Sequence, residues 1–210
     1  MKGHKWFASI YDKMLASQEK AFLGAIRREM LSDVAGEVLE IGAGTGANFQ
    51  YYRESAHVTA IEPDPYMLER ARSRAESATA TIDLQQVAAE ELPFPDASFD
   101  YVIDTLVLCS VRDQRKVLAE IKRVLKPGGE LRLYEHVRYQ NPIGALAQDI
   151  ISPAWQWFGA GCHPNRDTGR TLREAGFELA GVTIEKHGPP LPPMVVTRPH
   201  LRAVARKTAT

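Results

Sequence analysis

The chain has 210 residues, 44% hydrophobic and 25% charged, which is enough for a sizeable core and unlike a disordered polypeptide. Its 26 Lys and Arg are matched by 26 Asp and Glu, so nucleic acid is not an expected partner. Two cysteines cannot build a disulfide scaffold, Met1–Phe7 lack a secretory apolar core, and no apolar run approaches the roughly 18 residues that span a bilayer. A single domain over residues 1–210 in a reducing, cytoplasmic setting is the expectation.

Taken in chain order, residues 13–34 carry Leu15, Phe22, Leu23, Ile26, Met30 and Val34 at helical spacing. The stripe predicts a helix on the core, with a lid over residues 1–34 or a membrane-surface helix as the sharper alternatives. Glu37–Ile41 reads as a strand running into Gly42, Gly44 and Gly46, and Ala47–Arg53 as a helix. Val58–Ile61 is a second strand, stopped at Glu62–Pro65, and Met67–Ser77 a helix with Leu68, Ala71 and Ala75 on one face. Ile82–Val87 and Phe99–Asp104 are the third and fourth strands, separated by a turn-rich loop at Leu92–Ser98. Arg112–Leu125 reads as a helix ended by Lys126–Gly129, and Glu130–His136 as a fifth strand. Residues 141–175 read as helical, interrupted at Pro142, Pro153 and Pro164, and hold Trp155, Trp157 and Phe158. Glu178–Glu185 and Leu201–Lys207 are strands flanking a stiff loop at Gly188–Pro193. The predicted fold is α/β: a Rossmann-like, doubly wound, mostly parallel seven-stranded sheet. It ends in an antiparallel C-terminal hairpin and carries helices on both faces.

Strand, glycine loop and helix in succession form a nucleotide-type turn, because glycine permits a sharp bend and close approach to the backbone. Gly42–Ala47 also fits a dinucleotide fingerprint, and Glu62, 20 residues after Gly42, suits the ribose of NAD and of S-adenosylmethionine alike. Glu40 favours the second ligand. A carboxylate beside the turn repels a pyrophosphate and suits an ammonium and a sulfonium.

Val38–Gly46 (VLEIGAGTG), Ala60–Asp64 (AIEPD), Ala89–Phe94 (AEELPF), Ser98–Val102 (SFDYV) and Arg123–Gly129 (RVLKPGG) together resemble the ordered motifs of class I S-adenosylmethionine-dependent methyltransferases of the type 11 group. The resemblance implies S-adenosylmethionine as cofactor and S-adenosylhomocysteine as product. It places Gly42, Gly44, Gly46 and Glu40 at the amino-acid end of the cofactor and Glu62 at the ribose. Pro63, Asp64, Ala89 and Glu90 would lie at the adenine, and Asp104 and Thr105 at the methionine. Tyr11 resembles a tyrosine that closes over the cofactor. Ala88 departs from the family, whose members often carry Asp there.

Methyl transfer demands orientation more than a dedicated catalytic group. His136 is the best titratable candidate for a base, with Asp104 as the second catalytic candidate. Cys109 reads as core or pocket lining. Cys162 and His163 form a metal-type pair, but no further ligands stand at useful spacing, so no metal site is expected. Thr105–Val111 (TLVLCSV), Tyr134–Val137 (YEHV), Pro153–Trp155 (PAW), Gly161–Cys162 and Thr197–His200 (TRPH) resemble segments of the membrane-associated alkyl thiol methyltransferases of mammals. That resemblance implies a small thiol acceptor, with Arg198 and His200 able to reach it and 141–175 as a substrate-side insertion. The alternatives are a lipid methyltransferase acting on a quinone precursor or phospholipid amine, a noncatalytic cofactor-binding protein and an NAD oxidoreductase. An apolar or thiol-bearing small molecule is the expected partner, with transient membrane-surface contact left open.

Overall fold

Val38, Leu39 and Ile41 are fully buried, because the strand they build has neighbours on both edges and cover on both faces. In the computed structural model, which describes residues 12–13, 15–159, 161–188 and 194–207, this strand is β1 (Gly36–Ile41). It pairs in parallel with β2 (Ala56–Ile61) and with β4 (Phe99–Thr105). β2 pairs in parallel with β3 (Thr81–Gln85), and β4 with β5 (Leu125–His136). The chain then adds β6 (Phe177–Lys186) and β7 (Pro199–Lys207), and β7 inserts antiparallel between β5 and β6. The sheet order is β3-β2-β1-β4-β5-β7-β6. Gly188 is described at the edge of the expected stiff loop, whose residues 189–193 lie outside the described ones.

Side-chain alternation sorts the core into two layers. On one face Leu39, Val102, Leu131 and Leu133 pack under α3 (Gln114–Val124), whose Val117, Leu118, Ile121 and Val124 are fully buried, and under α5 (Thr168–Glu174). On the other, Val38, Ile103 and Tyr134 pack under α1 (Gly24–Leu31), with α2 (Pro65–Glu76) contributing Ala71 to the same layer. Leu23, Ile26, Met30 and Val34 of the predicted stripe are all buried there. A π-helical turn, Glu19–Leu23, precedes α1, and Gly24 packs so closely on Tyr51 that a Cβ would stand 3.0 Å from its hydroxyl.

Three local expectations differ from the structure. Ala47–Arg53 is a series of turns with a 3-10 segment at Phe49–Tyr51 rather than an α-helix. Phe49 and Tyr52, three residues apart, are both buried, and a three-residue period brings both to one side. Pro153 does not interrupt its helix: α4 runs unbroken over Pro142–Phe158, with Asn141 capping Gly144 N–H. Pro153 lies on the exposed side, where the carbonyl its ring leaves without a donor can meet water. β5 begins at Leu125, because Lys126–Gly129 bulge within the strand rather than preceding it. Among the described residues no helix is long and apolar enough to cross a membrane.

Gly46 has φ +82°, and a Cβ there would lie 2.6 Å from the ring of fully buried Phe49. Gly46→Ala is expected to lower unfolding free energy by about 2–4 kcal/mol, from left-handed backbone strain plus overpacking. Urea denaturation measures it; a loss below about 1 kcal/mol would mean that the loop yields.

Candidate active site

The carboxyl ends of β1, β2 and β4 surround the glycine loop. Glu40 projects on the same face as Thr105, into a crevice lined also by Arg27, Gly42, Gly44 and Asn48. Its Oε1 accepts from Asn48 Nδ2 at 3.1 Å and its Oε2 from the Tyr52 hydroxyl at 2.8 Å. Asn48 Nδ2 also reaches Thr105 Oγ1 at 3.2 Å, and Asn48 Oδ1 accepts from Arg27 Nη1 at 2.7 Å. Burial pushes the Glu40 carboxyl up to about 7, against the opposing pull of Tyr52, Arg27 and Asn48.

Gly44, with φ +57°, has open space where a side chain would be: a Cβ would meet only the Gly42 carbonyl oxygen, at 4.0 Å. Glu62 braces this loop, accepting the Gly44 amide at 3.0 Å and the Asp64 amide at 2.8 Å. Its carboxyl is raised by burial. Asp64 caps α2 through the Tyr66 amide at 2.8 Å, and the Pro63 carbonyl accepts from Gln86 at 3.3 Å. Ala89 is buried, and Glu90 accepts the Arg112 amide at 3.0 Å ahead of α3. Tyr11 lies outside the described residues. Its neighbour Asp12 accepts from Thr45 Oγ1 at 2.7 Å and pairs with Arg74 at 2.9 Å, tying the N-terminal segment to the glycine loop.

Asp104 alternates to the opposite face from Glu40 and Thr105, away from the crevice lining. It is fully buried, and its Oδ1 accepts the Val107 and Leu108 amides at 3.3 Å each. Glu135, on that same face, accepts the Val107 amide, the Leu108 amide at 2.8 Å and the Cys109 amide at 2.9 Å. Burial raises both carboxyls, and their proximity raises Glu135 further, so the pair retains a proton.

His136 faces the crevice side, as the cross-strand partner of His200. Its Nδ1 lies 3.6 Å from Cys109 Sγ and 3.5 Å from Cys162 Sγ, and the two sulfurs are 3.6 Å apart. His200 stands 4.7 Å from the His136 ring and stacks on Tyr134 at 4.7 Å. Its Nδ1–H donates to the Arg198 carbonyl at 2.8 Å, and burial and then His136 push its pKa down to about 3. Arg198 thus meets His200 through its backbone. His163 is outside the sulfur cluster; its amide donates to the Cys109 carbonyl at 2.7 Å.

The family model for a methyltransferase domain matches residues 39–133. Thiol S-methyltransferase TMT1B of Homo sapiens is 38% identical over 195 residues, covering 86% of this chain and 78% of that protein. Thiol S-methyltransferase TMT1A of Homo sapiens is 34% identical over 175 residues, covering 81% and 72%. This chain belongs to that methyltransferase family. In fold the methyltransferase superposes on the crystal structure of a putative methyltransferase from Bacillus halodurans with a TM-score of 0.72 at 18% identity, covering 90% of this chain and 99% of that one.

The methyltransferase uses S-adenosylmethionine, and the crevice fits such a ligand. A buried carboxylate and room at Gly44 suit a cationic amino acid and disfavour a phosphate. Asn48 and Tyr52 are candidate-site residues that sequence reasoning missed. Neither belongs to a recognisable motif, and each acts by holding Glu40.

Asn48→Ala is expected to cost about 1–3 kcal/mol in denaturant unfolding, since Glu40 and Arg27 both lose a buried partner. Unfolding coincident with the wild type would show that water replaces the amide.

Proposed function

We propose that the enzyme transfers a methyl group to the sulfur of a small thiol. One observation carries the reading. The segments around Cys109, His136, Cys162 and His200, each similar to the alkyl thiol methyltransferases, converge into one cluster beyond Thr105. The relatives named as thiol S-methyltransferases match most of the chain. S-adenosylmethionine supplies the methyl group, carried on a sulfonium. Glu40 with Gly42, Gly44 and Gly46 holds the amino-acid end, and Thr105 faces the methionine. Each Glu62 oxygen keeps a lone pair for a ribose hydroxyl beside the amide it already accepts. Pro63, Asp64, Ala89 and Glu90 flank the adenine. Asp104 enters as a positioning residue, since its carboxyl holds the 107–108 amides from behind.

The N-terminal helix serves as a lid, because Arg27 reaches the crevice from α1. Residues 141–175 form the acceptor-side wall of the same domain. Ile143, Leu146 and Ile150 of α4, at 84%, 60% and 71% exposure, line up at helical spacing and support a transient contact with a membrane surface. Two free cysteines side by side support a reducing, cytoplasmic setting.

With Glu40 raised to about 7 in the free protein, a bound cation must expel its proton. Affinity for S-adenosylhomocysteine, read by calorimetry, is expected to fall by up to about tenfold per pH unit below 7. Glu40→Gln should weaken binding on the order of tenfold and flatten that slope. An unchanged affinity and slope would remove Glu40 from the site. The same raised pKa makes Glu40 stabilise the free fold at low pH, a contribution lost as pH climbs from the ordinary carboxylate range through about 7.

Labelled S-adenosylmethionine offered with a small alkane thiol, a vesicle-borne phospholipid amine and a quinone precursor tests the acceptor. Label is expected in the thiol. Label in either lipid with none in the thiol would replace this reading by the lipid methyltransferase one, which the apolar row on α4 would then serve.

A further inference from the structure

We propose that Cys109, Cys162 and His136 form a zinc-class metal centre whose fourth position binds the acceptor as a thiolate. The metal half stands on the cluster alone; the acceptor half rests on the S-methylation proposed above.

The three candidate atoms, Cys109 Sγ, Cys162 Sγ and His136 Nδ1, come from segments far apart in the chain, and all lie within 4.8 Å of one another. A tetrahedral ion with Zn–S of about 2.3 Å and Zn–N of about 2.0–2.1 Å holds sulfurs about 3.8 Å apart and sulfur and nitrogen about 3.6 Å apart. The observed separations are 3.6 Å between sulfurs and 3.6 and 3.5 Å from sulfur to Nδ1. Two thiolates and an imidazole select zinc over hard cations such as magnesium or calcium. Three protein ligands are the number found in catalytic zinc sites, which leave the fourth position to water or substrate.

Position argues for a catalytic rather than a structural centre. Thr105 pairs with Tyr134, so His136 is one pleat further along β5 on the crevice face. Strand spacing puts its Cα about 8 Å from that of Thr105. Ligands in such sheets bind beyond the carboxyl ends of the strands, which is where the cluster lies. The ligand geometry is also fixed from behind, because Glu135 accepts the Cys109 amide at 2.9 Å.

The step balances without a redox partner. On coordination the acceptor thiol gives its proton to solvent. A lone pair on its sulfur forms the new S–CH₃ bond. The sulfonium S–CH₃ bond breaks and its electron pair stays on the donor sulfur. Both products are neutral thioethers, and the methylated acceptor, now a weak ligand, leaves the ion.

The test uses the full chain, reduced with a phosphine and loaded with Co(II) or Zn(II). One equivalent is expected to survive gel filtration, with thiolate-to-cobalt charge-transfer absorption in the cobalt form. Cys162→Ala and His136→Gln should each retain less than a tenth of the metal. S-adenosylhomocysteine binding by these variants verifies that they are folded. Adding a small alkane thiol should change the cobalt ligand-field bands. Missing charge-transfer absorption in the wild type, or equal metal retention by folded Cys162→Ala, would overturn the centre. If the stripped enzyme methylates the thiol at an unchanged rate, the acceptor half fails while S-methylation stands. If the loaded enzyme labels a lipid and no thiol, S-methylation fails while metal retention still decides the centre.

Discussion

The sulfur cluster of this methyltransferase depends on one clamp: the Glu135 carboxyl accepting three consecutive amides, Val107, Leu108 and Cys109. The turn it holds follows Leu106, which sits at φ +64° without being glycine, a conformation that needs outside support. The clamp works because residues 135 and 136 point to opposite faces of one strand. Glu135 grips the turn from the covered face, and His136 meets the Cys109 sulfur on the other. The same turn carries Val107, whose methyl groups fill the place of a Gly42 side chain; a Cβ there would stand 2.6 Å away. One loop therefore touches both the glycine turn and the sulfur cluster, so their separation is set by covalent geometry and pleat.

Two sets of buried carboxyls face opposite sides of the sheet, and they are compensated differently. Glu40 is satisfied by an amide, a phenol and the field of Arg27, which leaves it able to ionise when another cation arrives. Asp104 and Glu135 instead accept backbone amides of one turn, and burial raises both carboxyls. The first arrangement suits recognition of charge and the second suits rigidity. If both carboxyls of the second pair were ionised, repulsion in a dry site would act on the very turn they hold.

Much of the fold was legible because periodicity survives burial. The helical stripe Leu23–Ile26–Met30–Val34, the strand at Val38–Ile41 and the C-terminal antiparallel pair all follow from spacing that the core enforces. What was not legible depended on tertiary partners. Ala47–Arg53 has helical composition, but Phe49 under Gly46 and Tyr52 at Glu40 demand a three-residue step. Pro153 looked like a break, yet a surface carbonyl tolerates it. For the site, glycine motifs announced the crevice, whereas Asn48 and Tyr52 bear no local mark. Cys162 looked like half of a pair with His163, its neighbour in sequence, while its partners in space stand 26 and 53 residues away.

That last displacement follows from how such sheets assemble a site. Each strand delivers one or two residues past its carboxyl end, and the next residue in sequence turns to a different layer. His163 shows it: its amide binds the Cys109 carbonyl, so the backbone that brings Cys162 to the cluster is itself fastened to Cys109. Cys109 is held at its own amide by Glu135 and at its carbonyl by His163. A sulfur fixed at both peptide bonds can be kept in one geometry beside His136, and soft ligands held this way are preorganised to share a partner.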